Sequence, residues 1–245
     1  MNKEDLKDLV KITKPFFELV RMYNQGDKTL FEAKDPEMIM FFSGSFKNLY
    51  KSLDNGSVGL NRLGTLDGML KFGEFNDDSA SITEVTECKD GVDVLSELEF
   101  SSPSGYKSTY RFMGSKMVDS QVKMPQFNGA SWDVSFRPTS KLISNMTQFC
   151  GMLGGNDSSF TAKIKDGRLE FHIGSQGTDR AVLPICDTNG KFKKDWSWPL
   201  AKFIAVLKLV DGYMCTVHIS SQAVIMIEVE TDTCFYQFLM PAKKS

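Results

Sequence analysis

Ser57–Val85, SVGLNRLGTLDGMLKFGEFNDDSASITEV, reads as a short strand, an amphipathic helix, an acidic turn and a second strand. The same order recurs at Trp196–Ile219, WSWPLAKFIAVLKLVDGYMCTVHI, with the acidic turn shortened to Asp211-Gly212. Two such modules in 245 residues predict a duplicated α+β chain in which helices pack on antiparallel sheets and share one role.

Four segments carry helical spacing. Residues 3–14 place Leu6, Leu9, Val10 and Thr13 on one side, while Lys3, Lys7, Lys11 and Lys14 recur at intervals of four, four and three on another. Residues 61–72 set Leu63, Leu66, Met69 and Leu70 against Gly64, Asp67, Gly68 and Lys71, and the two glycines require a sheet to support this helix. Residues 139–153 set Leu142, Met146, Phe149 and Leu153 against Lys141, Ser144, Asn145 and Gln148, with Thr139 or Ser140 as N-cap. Residues 201–210 bury Phe203, Val206, Leu207 and Val210 and leave Lys202, Ala205 and Lys208.

Almost everything else alternates as strands and hairpins. Asp166-Gly167 is a two-residue hairpin turn, since both residues tolerate the positive φ such turns need. Residues 117–130, MVDSQVKMPQFNGA, lose the alternation and contain Pro125 and Asn128-Gly129. The expected organisation is therefore a first domain at 1–116, a connector at 117–130 and a second domain at 131–245.

Composition excludes several classes. An apolar share of 41% gives each half enough material for its own core. No apolar run approaches the roughly 20 residues that cross a bilayer, and MNKEDLKDLVK is too charged for a signal peptide, so the expectation is a soluble chain in the cytoplasm, without membrane partners. Cys88, Cys150, Cys186, Cys215 and Cys234 are widely spaced and read as reduced core residues rather than metal ligands or a disulfide framework. His172 and His218 lie in strand-like runs with no ligand partner nearby, so neither a metal nor a cofactor is expected. No GxSxG, HExxH or GxxxxGK[ST] occurs, and the run at 151–155 lacks the lysine of a phosphate-binding loop. No enzymatic constellation is visible.

Charge is near balance, 29 basic against 31 acidic residues, but unevenly placed. The four helical segments hold nine cations and four acids, which leaves the remainder of the chain acidic. Helices gathered on one side would give a positive face on an acidic body, suited to tracking a polyanion without reading bases. The plainer alternative is a set of solvated helix surfaces. Lys, Ser, Asn and Gln on these faces suit phosphates, and the lack of aromatic residues there disfavours base stacking.

At this level of organisation the chain resembles DNA polymerase sliding clamps, the family of proliferating-cell nuclear antigen and of the clamps of tailed bacteriophages. VGLNRLGTLDGMLKF followed by NDDSASITEV resembles the strand, second helix and next strand of a clamp's first domain. QVKMPQF, SWDVSFRPTSKLISNMTQFCGML and SSFTAKIKDGRLEFHIG resemble the connector, first helix and hairpin of the second, and DGYMCTVHISSQAVIMIEVETDTCFYQFLMPAKKS resembles the closing strands. Two departures stand out, a very short strand or none before Lys3 and the KFKKDWSW segment at 191–198, which has no firm counterpart. The resemblance implies a homotrimeric ring around duplex DNA, tethering a replicative DNA polymerase and opened by an ATP-driven clamp loader. The helices would line the hole, with Lys3, Lys7, Lys11, Lys14, Lys71, Lys141, Lys202 and Lys208 facing the phosphates. A partner's apolar motif would dock on Val122, Met124, Pro125 and Phe127 of the connector and on Leu239, Met240 and Pro241. The phage relatives imply a host-cytoplasmic protein and a role in viral late transcription as well.

Competing readings are a β-rich viral interaction or structural protein, a clamp-like transcription accessory factor without a replication role, and a single-strand binder. A scaffold gives no reason to concentrate cations on helices. A single-strand binder requires aromatic residues along a groove, whereas here they fall on alternating strand positions.

Overall fold

The computed structural model describes residues 1–153, 159–174 and 179–243. The end of the glycine-containing run 151–155, the first residue of SSFTAKIKDGRLEFHIG and the last two residues of the C-terminal stretch lie outside the described residues. The chain forms two compact units, one of Met1–Gln126 with Asp232–Tyr236, the other of Phe127–Thr231 with Gln237–Ser245.

The first unit runs α1 (Lys3–Thr13), β1 (Val20–Gln25), β2 (Lys28–Lys34), β3 (Phe41–Phe46), β4 (Val58–Leu60), α2 (Leu63–Lys71), α3 (Gly73–Asn76), β5 (Ser81–Lys89), β6 (Val92–Ser101), β7 (Lys107–Arg111) and α4 (Ser115–Gln121). The second runs β8 (Val134–Phe136), α5 (Ser140–Met152), β9 (Ser159–Lys165), β10 (Arg168–Ile173), β11 (Ala181–Asp187), β12 (Ser197–Pro199), α6 (Leu200–Leu209), β13 (Met214–Ser220) and β14 (Val224–Glu230), and ends in β15 (Cys234–Pro241).

Sheet order demonstrates the duplication. The first unit holds an antiparallel sheet β4-β1-β2-β3 and the second holds β12-β9-β10-β11, the same order eight strands later. The hairpins β5-β6-β7 likewise correspond to β13-β14-β15. β8 pairs with β13, whereas α1 begins at Lys3 with no strand before it. The Asp166-Gly167 turn has φ of 50° and 76°, and Lys165 faces Arg168 across it, so these residues form a two-residue hairpin.

Helix caps and burial follow local chemistry. The Asn2 side chain accepts from the Glu4 amide at 3.0 Å and starts α1, and Thr139 accepts from the Leu142 amide at 3.2 Å and starts α5. α1 buries Leu6, Leu9, Val10 and Ile12, and α6 buries Leu200, Phe203, Ile204, Val206 and Leu207. In α5 the buried residues are Ile143 and Met146, while Leu142 and Phe149 are half-exposed, so the apolar stripe is rotated from the expected one. Met69 of α2 is also only half-buried.

Two expectations need correction. The start of the 117–130 stretch, residues 117–121, is helical, because α4 packs Val118 fully into the first unit. The cysteines do not share one environment either: Cys88 is exposed on β5, Cys150 and Cys186 are half-buried, and only Cys215 and Cys234 are core. Alternation is weak along β5, so side-chain pattern did not distinguish its exposed end from a buried strand.

Each core is aromatic. Phe42 stacks on Phe31 at 5.4 Å and meets Phe17 at 5.6 Å and Tyr236 at 5.7 Å in the first unit. In the second, Phe160 meets Phe171 at 4.5 Å and Phe203 at 5.0 Å, and the indole of Trp198 donates to the Met240 carbonyl at 3.0 Å. In β3, Gly44 lets the backbone of Phe235 approach. A methyl group there would run into the Phe235 carbonyl and the Phe31 ring.

Gly44→Ala is therefore expected to destabilise the protein by about 3 kcal/mol, whereas Gly68→Ala, with open space around it on α2, is expected to stabilise it by about 1 kcal/mol. Chemical denaturation monitored by circular dichroism distinguishes the two. Burial pushes the Cys215 and Cys234 thiols up to about 12, so in native protein at mildly alkaline pH a thiol reagent is expected to modify Cys88 and to reach those two only after unfolding.

Candidate nucleic-acid interface and partner site

In the first unit α1 lies against α2. Their apolar sides are buried, which turns the lysines toward the surface, but most of these are not bare charges. Lys14 meets Asp67 at 2.6 Å and Lys71 meets the same carboxylate at 2.9 Å. Lys7 pairs with Glu4 one turn earlier at 2.7 Å. Lys3 donates to the carbonyls of Asp77 at 2.8 Å and Asn76 at 3.2 Å. Lys11 is exposed.

The remaining helix acids turn away from this face. Asp5 is buried and accepts from the Tyr50 hydroxyl and, at 3.0 Å, from Asn48. Burial, then the hydrogen bond to Asp5, pushes the Tyr50 phenol well above its usual range. Asp8 accepts from Thr233 at 2.5 Å. Arg62 is structural, donating to the Arg111 carbonyl at 2.9 Å with its guanidinium 5.3 Å over the Tyr110 ring.

In the second unit α5 lies against α6. Lys141 is exposed in the first turn of α5, beside the Ser140–Asp211 hydrogen bond of 2.8 Å. Lys202 is half-buried on α6. Lys208 is exposed and borders an open groove between the helices, lined by Thr147, Cys150, Ala201, Ile204 and Ala205. Both helix pairs thus present lysines and small polar residues, with no aromatic side chain among those lining this groove.

The seven residues expected to receive a partner divide sharply by burial. Val122 is 4% exposed and Met240 0%, so both side chains are core and unavailable to a partner. Strand alternation explains Met240: in β15, Cys234, Tyr236, Phe238 and Met240 all point inward. Leu239 is also buried, at 8% exposed, whereas Met124 and Pro241 are half-buried and Pro125 and Phe127 are exposed.

Sequence reasoning missed what surrounds Phe127. Its ring lies 6.5 Å from Trp132, which lies 5.4 Å from His218. Nδ1 of His218 meets the Ser135 hydroxyl at 2.7 Å and Nε2 meets Glu228 at 3.0 Å. The register of β8, β13 and β14 assembles this group from residues 83 and 10 positions apart. Only the Trp132 and Phe127 pair near the connector could have been noticed in the sequence. Chemically, the hydrogen bonds hold the imidazole in place as the base of an aromatic column.

Searches of the solved structures identify the architecture. The chain has the sliding-clamp fold. It matches the clamp PCNA of A. fulgidus, in a complex with the C-terminal region of FEN-1, at a TM-score of 0.68 and 12% identity, covering 100% of this chain and 97% of that one. It matches the PCNA2–PCNA3 complex of Sulfolobus tokodaii at 0.66 and 14%, covering 99% and 97%, and PCNA of Thermococcus kodakaraensis at 0.66 and 14%, covering 99% and 98%. No protein-family model and no curated protein matches the sequence.

The Asp67 carboxylate links the charge of α1 and α2. Burial opposes its ionisation, but Lys14 and Lys71 outweigh that and hold it below its usual range. A depressed folded value stabilises the protein above the unfolded value, near pH 4, and the gain is lost as pH falls through the folded one. Both lysines are substantially exposed and solvent screens the pairs, so Asp67→Asn is expected to cost about 0.5–1 kcal/mol at neutral pH. Denaturation of both proteins across pH is expected to show that difference shrinking below about pH 4.

Proposed function

We propose that this chain is a non-catalytic sliding clamp: three copies close into a ring around duplex DNA and tether a replicative DNA polymerase. The observation that carries this reading is the pair of open edges left by the duplication. In the first unit β3 is covered by Cys234–Tyr236 of β15. Its counterpart in the second unit, β11, is a sheet edge, and β7, the counterpart of β15, is an edge of the first unit. Laying β7 of one copy along β11 of the next repeats the β3–β15 pairing between chains. The contact is head-to-tail, with one edge of each kind per copy, and a rotation of one third of a turn at each contact would close three copies into a ring. Pro184 within β11 is a residue tolerated at such edges, and Val182 is exposed beside it.

The lysines Lys3, Lys7, Lys11, Lys14, Lys71, Lys141, Lys202 and Lys208 would meet phosphates in this assembly. Contacts to phosphate carry no sequence information, and pairs such as Lys14–Asp67 keep each one weak, which favours sliding over gripping. Met124, Pro125, Phe127 and Pro241 would receive the polymerase and other partners, with the edge of the largely buried Leu239 beneath. A separate ATP-driven loader would open the ring. The resemblance to the phage clamps extends the reading to a host cytoplasm and to late transcription.

Light scattering is expected to give three times the 27.5 kDa chain mass, and Val182→Lys with Ile185→Lys is expected to leave folded monomers. A wild-type monomer would remove the ring. With polymerase and loader from the same source on primed circular DNA, Lys11→Glu, Lys141→Glu and Lys208→Glu together are expected to shorten products about tenfold and leave the trimer intact. Unchanged products would remove the DNA-facing role of these helices.

A further inference from the structure

The segment Gly190–Trp196, GKFKKDW, joins β11 to β12 and exposes Lys191, Lys193 and Lys194 within four positions. It belongs to neither helix face. Its backbone is firmly seated. The Gly190 amide donates to Thr188 at 3.0 Å, and its α-carbon sits so close to the Asp133 carbonyl and Val134 that no side chain fits. The Lys193 amide donates to the Ser221 hydroxyl at 3.2 Å, and the Trp196 indole donates to the Ser221 carbonyl at 2.7 Å. At its far end the amide of the exposed Lys243 donates to the Ser197 carbonyl at 2.8 Å.

The adjoining acids are engaged elsewhere. Asp195 pairs with Lys163 at 3.0 Å, and Asp133 accepts from the Ser221 amide at 2.6 Å. Four lysines therefore stand on a fixed frame, on a chain that is acidic outside its helices. A frame already ordered loses little entropy when it binds.

We propose that this loop, with Lys243, docks an acidic segment of a partner protein. The inference rests on the docking role given above to Leu239 and Pro241 for its partner, and on the loop for its chemistry. Nucleic acid fits the site less well. The ammonium of Lys194 lies 4.3 Å over the Trp196 ring and the indole N–H is already bonded, so the ring is not an open base-stacking platform. Apart from Lys243 the cations are confined to one short loop, with Asp187 and Asp195 close by in the chain, and a long polyanion would have to pass those acids. A short run of Glu or Asp flanking an apolar motif would not. Lysine ammoniums meet such carboxylates as adaptable point charges, so the attraction is expected to be salt-sensitive.

The test measures fluorescence anisotropy with three labelled synthetic peptides and a labelled DNA duplex. One peptide carries a Leu- and Phe-rich apolar segment followed by glutamates, the second replaces the glutamates by serines, and the third keeps only the glutamates. Wild type is expected to bind the first about tenfold more tightly than the second at low salt. Lys191→Gln with Lys193→Gln and Lys194→Gln is expected to abolish that advantage, as is high salt, with unchanged melting temperature and mass. If the triple variant fails to fold, Lys193→Gln alone is expected to reduce the advantage in the same sense. Equal binding of the first two peptides overturns the inference and leaves the apolar docking role standing. Lysine-dependent binding of the glutamate peptide, unaided by the apolar segment, supports the inference and removes the apolar role. Duplex binding that is lost in the variant while peptide binding is unchanged makes the loop a nucleic-acid site and overturns the inference, as does the failure of all three peptides to bind.

Discussion

Each pair of helices must bury an apolar side against antiparallel strands, and the rest of the structure follows from that burial. Neither pair could do so alone. α2 carries two glycines and α5 buries only Ile143 and Met146, so these helices depend on the sheets behind them. Once Leu6, Leu9 and Val10 of α1 and Leu63, Leu66 and Leu70 of α2 are inside, Lys11, Lys14 and Lys71 have only the surface left to them. The orientation of the charge is thus a consequence of packing, with no electrostatic device needed to produce it.

What the packing does not set is how much of that charge is compensated. Lys14 and Lys71 share Asp67, and Lys7 takes up Glu4, while Asp5 and Asp8 are drawn into a buried network and onto Thr233. The face keeps a positive excess built from moderated charges. In the proposed ring, a surface of this kind would hold DNA by its sum and by no single contact.

Duplication supplies the second organising feature. Two copies of one strand order leave like edges in unlike states: β3 is covered, whereas β11 and β7 are not. Open edges are hazards that proteins blunt or use. Here Pro184 lies on the open edge β11, and in the proposed ring the correspondence of β7 with β15 would give β7 and β11 a use between copies. The basic loop at 190–196 stands where the first unit has its β3–β4 connection, in which Asn55 donates to the Asp93 carbonyl at the start of β6, and it is held by the turn after β13 and by the amide of Lys243.

Periodicity and turn chemistry in the sequence determined the elements, the duplication and the lysine stripe, because 3.6-residue and two-residue spacings and an Asp-Gly turn are local properties of the chain. They located α1, α6 and the hairpins closely. They missed α3 and α4, which are too short for a period to register, and misplaced the stripe of α5, where Leu142 and Ile143 are equally apolar and only the sheet decides between them. They treated Met240 and Pro241 alike, although strand alternation buries one and leaves the other at the surface. The tertiary structure alone decided which acids neutralise which lysines, the aromatic column of Phe127, Trp132 and His218, and the seat of the 190–196 loop. These join residues far apart in the chain, and sheet register and helix packing, not sequence spacing, bring them together.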